Sequence, residues 1–172
     1  MNQELTSENK AQAWAAENSP GCVVEIGVLN GNTAKWLCEH NPKLTVYGID
    51  PIIPDSMNQS LVGNIDRIKE NTKGLNHVFI NDYSFNVVKT WHTPIGYLFI
   101  DGDHTYEAVK RDYDEWFPFV MPGGFIGIHD STSNRGGPAN WPGPSRLADE
   151  LIKEERMVLV CSIQQITLFK KA

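Results

Sequence analysis

The sequence predicts an α/β protein with one doubly wound, Rossmann-like sheet that is mostly parallel. Apolar, β-rich runs alternate with helical patterns along the chain, and the first run ends in a glycine-rich turn that opens directly into a helix. Such alternation places successive strands parallel in one sheet. The last two runs form a hairpin, so we expect the last strand to be antiparallel. The chain has 172 residues, and we expect residues 1–172 to form a single domain.

The N-terminal segment, residues 1–18, is predicted to form a helix over Glu4–Glu17 that packs on the sheet or near the mouth of a ligand site. It lacks the apolar h-region of a signal peptide, and no stretch of the chain is long and apolar enough to span a membrane. The cysteines are odd in number and lack metal spacing, which suits a reducing compartment. We therefore expect a cytoplasmic protein without membrane association.

The first strand, Cys22–Ile26, leads into a glycine turn and a helix over Asn32–His40. The dinucleotide fingerprint G-x-G-x-x-G fails here, because Leu29 occupies the position of the second glycine. The sequence instead contains the pattern E-x-G-x-x-x-G, formed by Glu25, Gly27 and Gly31. Leu29 would hinder a pyrophosphate and Glu25 would repel it, whereas an amino group or a sulfonium would be accepted. Alternatively, the glycines mark an ordinary strand-to-helix turn.

The second strand, Leu44–Ile49, ends in Asp50 and Pro51. An acid at this point, about 20 residues after the glycine turn, is where a carboxylate holds the hydroxyls of a ribose. The alternative is a strand-end aspartate that opens a turn. The next elements are predicted as a loop over Pro51–Ser60, a helix over Leu61–Asn71, a strand over His77–Ile80 and a helix over Phe85–Trp91.

The second half of the chain contains two further strands that end in polar residues, Ile95–Ile100 before Asp101 and Phe125–His129 before Asp130. A helix is predicted between them, over Thr105–Trp116. Residues 131–144 hold three glycines, three prolines and Trp141, which is typical of a mobile substrate loop rather than a structural turn. The chain ends with a helix over Arg146–Glu155 and a hairpin formed by Met157–Cys161 and Gln165–Phe169.

These motifs together resemble the class I S-adenosylmethionine-dependent methyltransferases. The stretches 99–107 (FIDGDHTYE) and 123–130 (GGFIGIHD) are similar to a small family that includes macrocin-type O-methyltransferases and cephalosporin-hydroxylase-like proteins. The resemblance covers Cys22 to Phe169 and implies a seven-stranded sheet in the order 3-2-1-4-5-7-6. It also implies S-adenosyl-L-methionine as cofactor, bound through Glu25, Gly27, Gly31, Asn32, Asp50, Pro51, Asp82, Tyr83 and Asp101.

The adenine of the cofactor is placed by this resemblance at the end of the third strand, at 81–84. Asp82 is a candidate acceptor for the exocyclic amino group, and Tyr83 or Phe85 is a candidate to cover a ring face. The alternative for Asp82 is a cap of the following helix. Both interpretations remain open from the sequence.

A chemical centre is expected where the fourth and fifth strands end, because neighbouring strands bring Asp101 and Asp130 together. Paired carboxylates suit Mg²⁺. The resemblance to metal-dependent O-methyltransferases implies a metal site formed by Asp101, His129 and Asp130. Relatives often carry an acid in place of His129, and imidazole suits Zn²⁺, Mn²⁺ or Fe²⁺ better. The site is therefore empty, binds a divalent metal such as Mg²⁺ or Mn²⁺, or uses His129 as a base.

The predicted activity is methyl transfer from S-adenosylmethionine to a small hydroxylated, sugar-like acceptor. His104 is the favoured general base and His129 the metal ligand or second base. The alternatives are a nucleotide-binding oxidoreductase and a degenerate cofactor-binding protein without turnover. The net charge of -6 argues against a nucleic-acid partner. A homodimer is a further expectation, since a partner subunit would supply a lid over the acceptor.

Overall fold

The computed structural model describes residues 5–135 and 141–172. Its sheet has seven strands in the order β3-β2-β1-β4-β5-β7-β6. The first five strands are parallel, and β7 pairs antiparallel with both β5 and β6. The predicted fold class and strand order are therefore confirmed. The strands are β1 (Cys22–Ile26), β2 (Val46–Ile49), β3 (His77–Ile80), β4 (Ile95–Ile100), β5 (Val120–Ile128), β6 (Met157–Ile163) and β7 (Ile166–Lys171).

The register aligns the carboxyl ends of four strands at one level of the sheet. Ile26 of β1 pairs with Ile49 of β2 and with Ile100 of β4, and Ile100 in turn pairs with Ile128 of β5. The residues that follow these strand ends are Gly27, Asp50, Asp101 and His129. Parallel register therefore gathers one predicted site residue from each strand at the same edge.

Helices cover both faces of the sheet. On one face α1 (Glu8–Glu17) and α2 (Asn32–His40) pack their buried alanines, Leu37 and Cys38 against the sheet. On the other face α5 (Tyr106–Trp116) and α6 (Pro142–Leu151) do the same with larger side chains, including Trp116. The short helices α3 (Ile65–Asn71) and α4 (Ser84–Val87) follow β2 and β3. Since both faces are covered, β1 and β4 are buried along their whole length.

Several predicted boundaries move for local reasons. Helix α3 begins at Ile65 rather than Leu61, because the side chain of Asn64 caps it by accepting from Arg67 N at 2.9 Å. Strand β5 begins at Val120 and passes through the predicted turn at 122–124, where a register irregularity against β4 accommodates the extra residues. The helix predicted over 85–91 is one turn of α4 followed by a 3-10 turn.

The predicted substrate loop over 131–144 is shorter in the structure. Pro142 starts α6, since proline suits the first turn of a helix, so residues 142–144 are helical. At the other end, Ser131 and Thr132 are buried, and the Ser131 hydroxyl donates to Ile128 O at 2.7 Å. Residues 136–140 lie outside the described residues. Within the described ranges, no helix has the length and apolar character needed to cross a membrane.

Candidate active site

A cavity of about 570 Å³ opens where the parallel strands end. Volumes of this size are typical of small-ligand and cofactor sites. The turns after β1, β2, β3, β4 and β5 all contribute to its wall. The sequence-predicted residues that line it are Gly27, Asp50, Pro51, Tyr83, Asp101, His104, His129 and Asp130.

Gly27 allows the turn after β1 to approach β4. Its φ is 87°, and a Cβ atom at this position would lie 2.0 Å from the carbonyl oxygen of Asp101. A side chain here would therefore push apart two strand ends that both contribute to the cavity. Gly31, with φ 76°, is the N-cap residue of α2. Leu29 also has a positive φ of 53° and is 41% exposed, lining the cavity.

The Asp50 carboxylate ties the turn after β1 to the end of β2. Its Oδ2 accepts from Val28 N at 2.8 Å and from Leu29 N at 2.9 Å, and its Oδ1 accepts from Ile52 N at 2.7 Å. Asp50 therefore stabilises the turns around it, as the alternative interpretation from the sequence states. A carboxylate has about four acceptor sites, so one remains on Oδ1 for a ligand hydroxyl.

Glu25 lies beneath the cavity and not in its wall. It is 1% exposed, and its Oε2 has no hydrogen-bond partner among the described residues. Burial, together with the nearby carboxylates of Asp101 and Asp50, raises the pKa of Glu25 well above its ordinary value. This environment favours the uncharged form of the carboxyl, whereas the sequence suggests an anionic role. Asn32, also predicted to bind cofactor, lies outside the cavity wall and accepts from Asn71 Nδ2 at 3.1 Å.

Asp82 caps the helix that follows it. Its Oδ1 accepts from Tyr83 N at 2.7 Å and from Asn86 Nδ2 at 3.0 Å, and the residue does not line the cavity. This geometry favours the capping alternative over adenine recognition. Tyr83 does line the cavity, and its ring stacks on Phe85 at 4.8 Å between centroids.

His104 is held between two carboxylates. Its Nδ1 lies 2.8 Å from Asp55 Oδ2 and its Nε2 lies 2.9 Å from Asp130 Oδ2. Burial alone would lower the pKa of His104, but these bonds outweigh it and raise the pKa to about 9. The ring also stacks on Trp141 with centroids 4.2 Å apart. With a carboxylate at each nitrogen, the imidazole is a cation at neutral pH rather than a free base.

His129 completes the charged cluster. Its Nδ1 lies 2.9 Å from Asp101 Oδ1 and 3.4 Å from Asp130 Oδ2, yet the angles do not make a hydrogen bond to any described residue. Burial opposes its charged form, but the carboxylates of Asp101, Asp130 and Glu8 together outweigh burial and raise the pKa of His129 to about 12. The two imidazoles in turn hold the pKa of Asp130 well below its usual range, despite burial.

The predicted metal ligands Asp101, His129 and Asp130 are therefore neighbours, as expected. Among the described residues, however, the three whose ligand atoms lie within 4.8 Å of one another are Asp101, His104 and Asp130. Both sets share the two carboxylates and differ in the imidazole. Two carboxylates with one imidazole fit Mn²⁺, Fe²⁺ or Zn²⁺ better than Mg²⁺. His129 Nδ1 lies 2.9 Å from Asp101 Oδ1 and is a further nitrogen beside these carboxylates.

Sequence reasoning missed three polar residues at the site. Asp55 lies in a loop without periodicity. Gln165 lies in the turn between β6 and β7, and its side chain donates to Asp130 Oδ1 at 2.6 Å. Neither carries a local signal. Asp112 does, because it interrupts the apolar face of α5 between Val109 and Trp116. A carboxylate in the middle of a buried helix face is unusual.

The strand order and the cavity at the strand ends define the fold of the class I methyltransferases. A family model described as a methyltransferase domain matches residues 24–131, which is more than half of the chain. The chain therefore belongs to this methyltransferase-domain family. The predicted membership in the class I S-adenosylmethionine-dependent methyltransferases is confirmed.

One curated relative is the uncharacterized protein R132 of Acanthamoeba polyphaga mimivirus, 29% identical over 133 residues. The match includes 74% of this chain, and the chain spans 59% of the length of that relative. The O-methyltransferase NovP has a similar structure, with a TM-score of 0.76 at 17% identity over 95% of this chain and 79% of NovP.

A second similar structure is the methyltransferase MycE of the mycinamycin biosynthetic pathway, solved with Mg, SAH and mycinamycin VI. Its TM-score is 0.57 at 19% identity, over 88% of this chain and 44% of MycE. At these identities, NovP and MycE show the shared fold alone.

Proposed function

We propose that this protein transfers a methyl group from S-adenosyl-L-methionine to a hydroxyl group of a small, sugar-like acceptor. The observation that carries the proposal is the convergence of four strand ends on one cavity. There, the Gly27 turn and Asp50 meet the charged cluster of Asp101, His104, His129 and Asp130. A ligand that carries both a ribose and a cationic centre fits this combination of a hydroxyl acceptor at Asp50 and nearby carboxylates.

The cofactor is proposed to lie along the strand ends, with its ribose at Asp50 and its sulfonium toward Asp101. The solved MycE structure, which shares the fold, contains SAH. Of the cofactor residues predicted from the sequence, those proposed to contact the cofactor line the cavity, namely Gly27, Asp50, Pro51, Tyr83 and Asp101. The other predicted residues, Glu25, Gly31, Asn32 and Asp82, lie outside the cavity wall, and we propose that they act only indirectly, through the shape of the turns.

A divalent metal fits the charged cluster. Asp101, His104 and Asp130 would hold it, with His129 as the alternative imidazole ligand, and MycE was solved with Mg. When bound, the metal would orient an acceptor hydroxyl and lower its pKa. Imidazole must be neutral to bind a metal, so binding would release protons from the histidines.

Residues of the chain would also orient the acceptor hydroxyl. Because His104 is a cation, it cannot remove a proton at neutral pH. We infer that the Asp130 carboxylate, fixed by the 2.9 Å contact with His104 Nε2, accepts a hydrogen bond from the acceptor hydroxyl and orients it. The hydroxyl oxygen attacks the methyl carbon, the carbon–sulfur bond breaks to give the thioether, and the hydroxyl proton is lost to solvent.

Calorimetric titration with S-adenosylhomocysteine tests the cofactor. We expect micromolar binding by the wild type, and an affinity about 10–100-fold weaker for Asp50→Ala, which loses hydrogen bonds of roughly 1–3 kcal/mol. Asp66→Ala, at an exposed position of α3, is the matched control and should bind normally. An undetectable affinity of the wild type with or without Mn²⁺ would overturn the proposal.

Turnover of a labelled methyl group, with hydroxylated sugars as acceptors, separates an active enzyme from a cofactor-binding protein without turnover. Titration of Mn²⁺ and Mg²⁺ in the same buffers tests the metal. Asp130→Asn is expected to lose metal binding while it retains S-adenosylhomocysteine. Activity that persists in chelator would remove the metal from the mechanism.

A further inference from the structure

Asp130 adopts a backbone conformation that is uncommon for a residue other than glycine. Its φ is 49°, in the left-handed region, and the residue is 7% exposed at the cavity wall. Conformations of this kind persist where surrounding contacts fix them, and they concentrate at functional sites. The contacts that hold Asp130 in place are therefore part of how the site is built.

The turn between β6 and β7 supplies several of these contacts from a distant part of the chain. The side-chain amide of Gln165 donates to Asp130 Oδ1 at 2.6 Å, and the Gln165 carbonyl accepts from Ser131 N at 3.1 Å. The carbonyl of the preceding residue, Gln164, accepts from Thr132 Oγ1 at 2.5 Å. One turn therefore holds both the Asp130 carboxylate and the backbone that follows it.

The two oxygens of the Asp130 carboxylate face different partners. Oδ1 is bound by the Gln165 amide, whereas Oδ2 lies 2.9 Å from His104 Nε2 and 3.4 Å from His129 Nδ1. The torsion about the Cβ–Cγ bond of an aspartate is broad, so a carboxylate held at one oxygen alone rotates readily. Because Gln165 fixes Oδ1, Oδ2 stays directed at the two imidazoles.

Gln165 also links the charged cluster to helix α1. Its backbone N donates to Glu8 Oε2 at 3.2 Å, and the same oxygen lies 3.9 Å from His129 Nε2. The Gln165 side chain does not itself line the cavity. Since an amide is a neutral donor, it orients the Asp130 carboxylate without adding a cation that would compete with the histidines.

We propose that Gln165 is a positioning residue, whose amide holds Asp130 in the orientation that presents Oδ2 to His104 and to the acceptor hydroxyl. The acceptor step in this inference rests on the proposed function, because Asp130 is the group inferred to orient that hydroxyl. The effect of Gln165 on the contact between Asp130 and His104 does not depend on the cofactor. Misplacement of a reacting group by about 1 Å lowers a rate by about 100-fold.

Two substitutions separate the hydrogen bond from the bulk of the side chain. Gln165→Leu removes the donor at similar volume, and Gln165→Glu replaces it with a carboxylate that repels Asp130. The readout is the Nε2–H proton of His104, observed by proton–nitrogen-15 NMR of the ligand-free protein at one fixed pH. In the wild type we expect a downfield, slowly exchanging signal, since a charge-assisted hydrogen bond is short. Both variants should shift this signal upfield and speed its exchange with water.

Thr132→Val is the matched control, because it removes a different hydrogen bond from the same turn and leaves the Gln165 amide in place. It should keep the wild-type His104 signal even where it lowers the melting temperature. The reversed pair, Gln165→Glu with Asp130→Asn, should recover the signal. In that double variant the introduced amide donates to the introduced carboxylate, while the amide oxygen still accepts from His104.

Cofactor affinity and turnover complete the test. Both Gln165 variants should bind S-adenosylhomocysteine within about twofold of the wild type and transfer labelled methyl groups about 10–100-fold more slowly. An unchanged His104 signal in both variants, an equal loss of it in Thr132→Val, no recovery in the reversed pair, or wild-type turnover in Gln165→Glu would each overturn the inference.

Two further outcomes are separable. If Gln165→Glu does not fold, as judged by thermal melting, Gln165→Leu decides. A wild type that binds no S-adenosylhomocysteine would overturn the proposed function, while the His104 signal in the ligand-free proteins would still test the role of Gln165.

Discussion

Asp55 Oδ2 contacts two nitrogens of His104, the backbone N at 3.2 Å and the ring Nδ1 at 2.8 Å. The other oxygen of Asp55 accepts from Met57 N and Asn58 N, both at 2.8 Å. The Asp55 carboxylate therefore stabilises its own loop and links that loop to the turn after β4. Because Nδ1 is held by Asp55, Nε2 of His104 is directed at Asp130 and the cavity.

Asp55→Asn is expected to lower the pKa of His104 by about one to two pH units. A hydrogen bond to a charged partner contributes about 1.5–3 kcal/mol, and one pH unit corresponds to about 1.4 kcal/mol. Nitrogen-15 NMR of the imidazole reports both the pKa and the tautomer. Asp66→Asn, on the exposed side of α3, is the control. An unchanged His104 titration in Asp55→Asn would show that Asp130 alone sets its charge.

The metal-free protein should lose stability at alkaline pH through His104. Its folded pKa is raised to about 9 from an ordinary 6.5, so the added stability is fully present below pH 6.5 and is lost as the pH rises through 9. The expected loss is on the order of 1–3 kcal/mol. Urea unfolding in chelator between pH 6 and about 10 measures it.

Other groups also titrate in this pH range, so the test compares how the free energy of unfolding changes with pH in different variants. His104→Gln should show a flatter profile than the wild type. His92→Gln, at an exposed position, should follow the wild type. Parallel profiles for His104→Gln and wild type would contradict the prediction.

Gly27→Ala should destabilise the protein far more than Gly74→Ala. Both glycines have positive φ, 87° and 76°, which costs an alanine roughly 1–2 kcal/mol. At Gly74 nothing lies within 4 Å of the added Cβ, whereas at Gly27 it would meet Asp101 O at 2.0 Å. We expect about 1 kcal/mol for Gly74→Ala and at least twice that for Gly27→Ala in the free energy of unfolding. Equal losses would mean that the β1 and β4 ends separate easily.

The sequence by itself determined the order of strands and helices and the residues at the strand ends. Apolar runs and glycine or proline breaks are local signals, and parallel register follows from the alternation of strands and helices. Gly27, Asp50, Asp101 and His129 could therefore be placed at one edge before any contact was known. Helix boundaries depend on single capping side chains such as Asn64, so the hydrophobic pattern does not fix them.

The tertiary structure alone decided the partners and the charge of the site residues. Asp55 and His104 are 49 positions apart, and Ser84 and Asp112 are 28 apart, so no local pattern relates them. Burial raises the pKa of Glu25, and two neighbouring carboxylates raise the pKa of His104, because a pKa depends on the spatial surroundings of a group and not on its neighbours in the chain. The sequence therefore predicts where the site lies, and tertiary packing determines the partners and the charges of its residues.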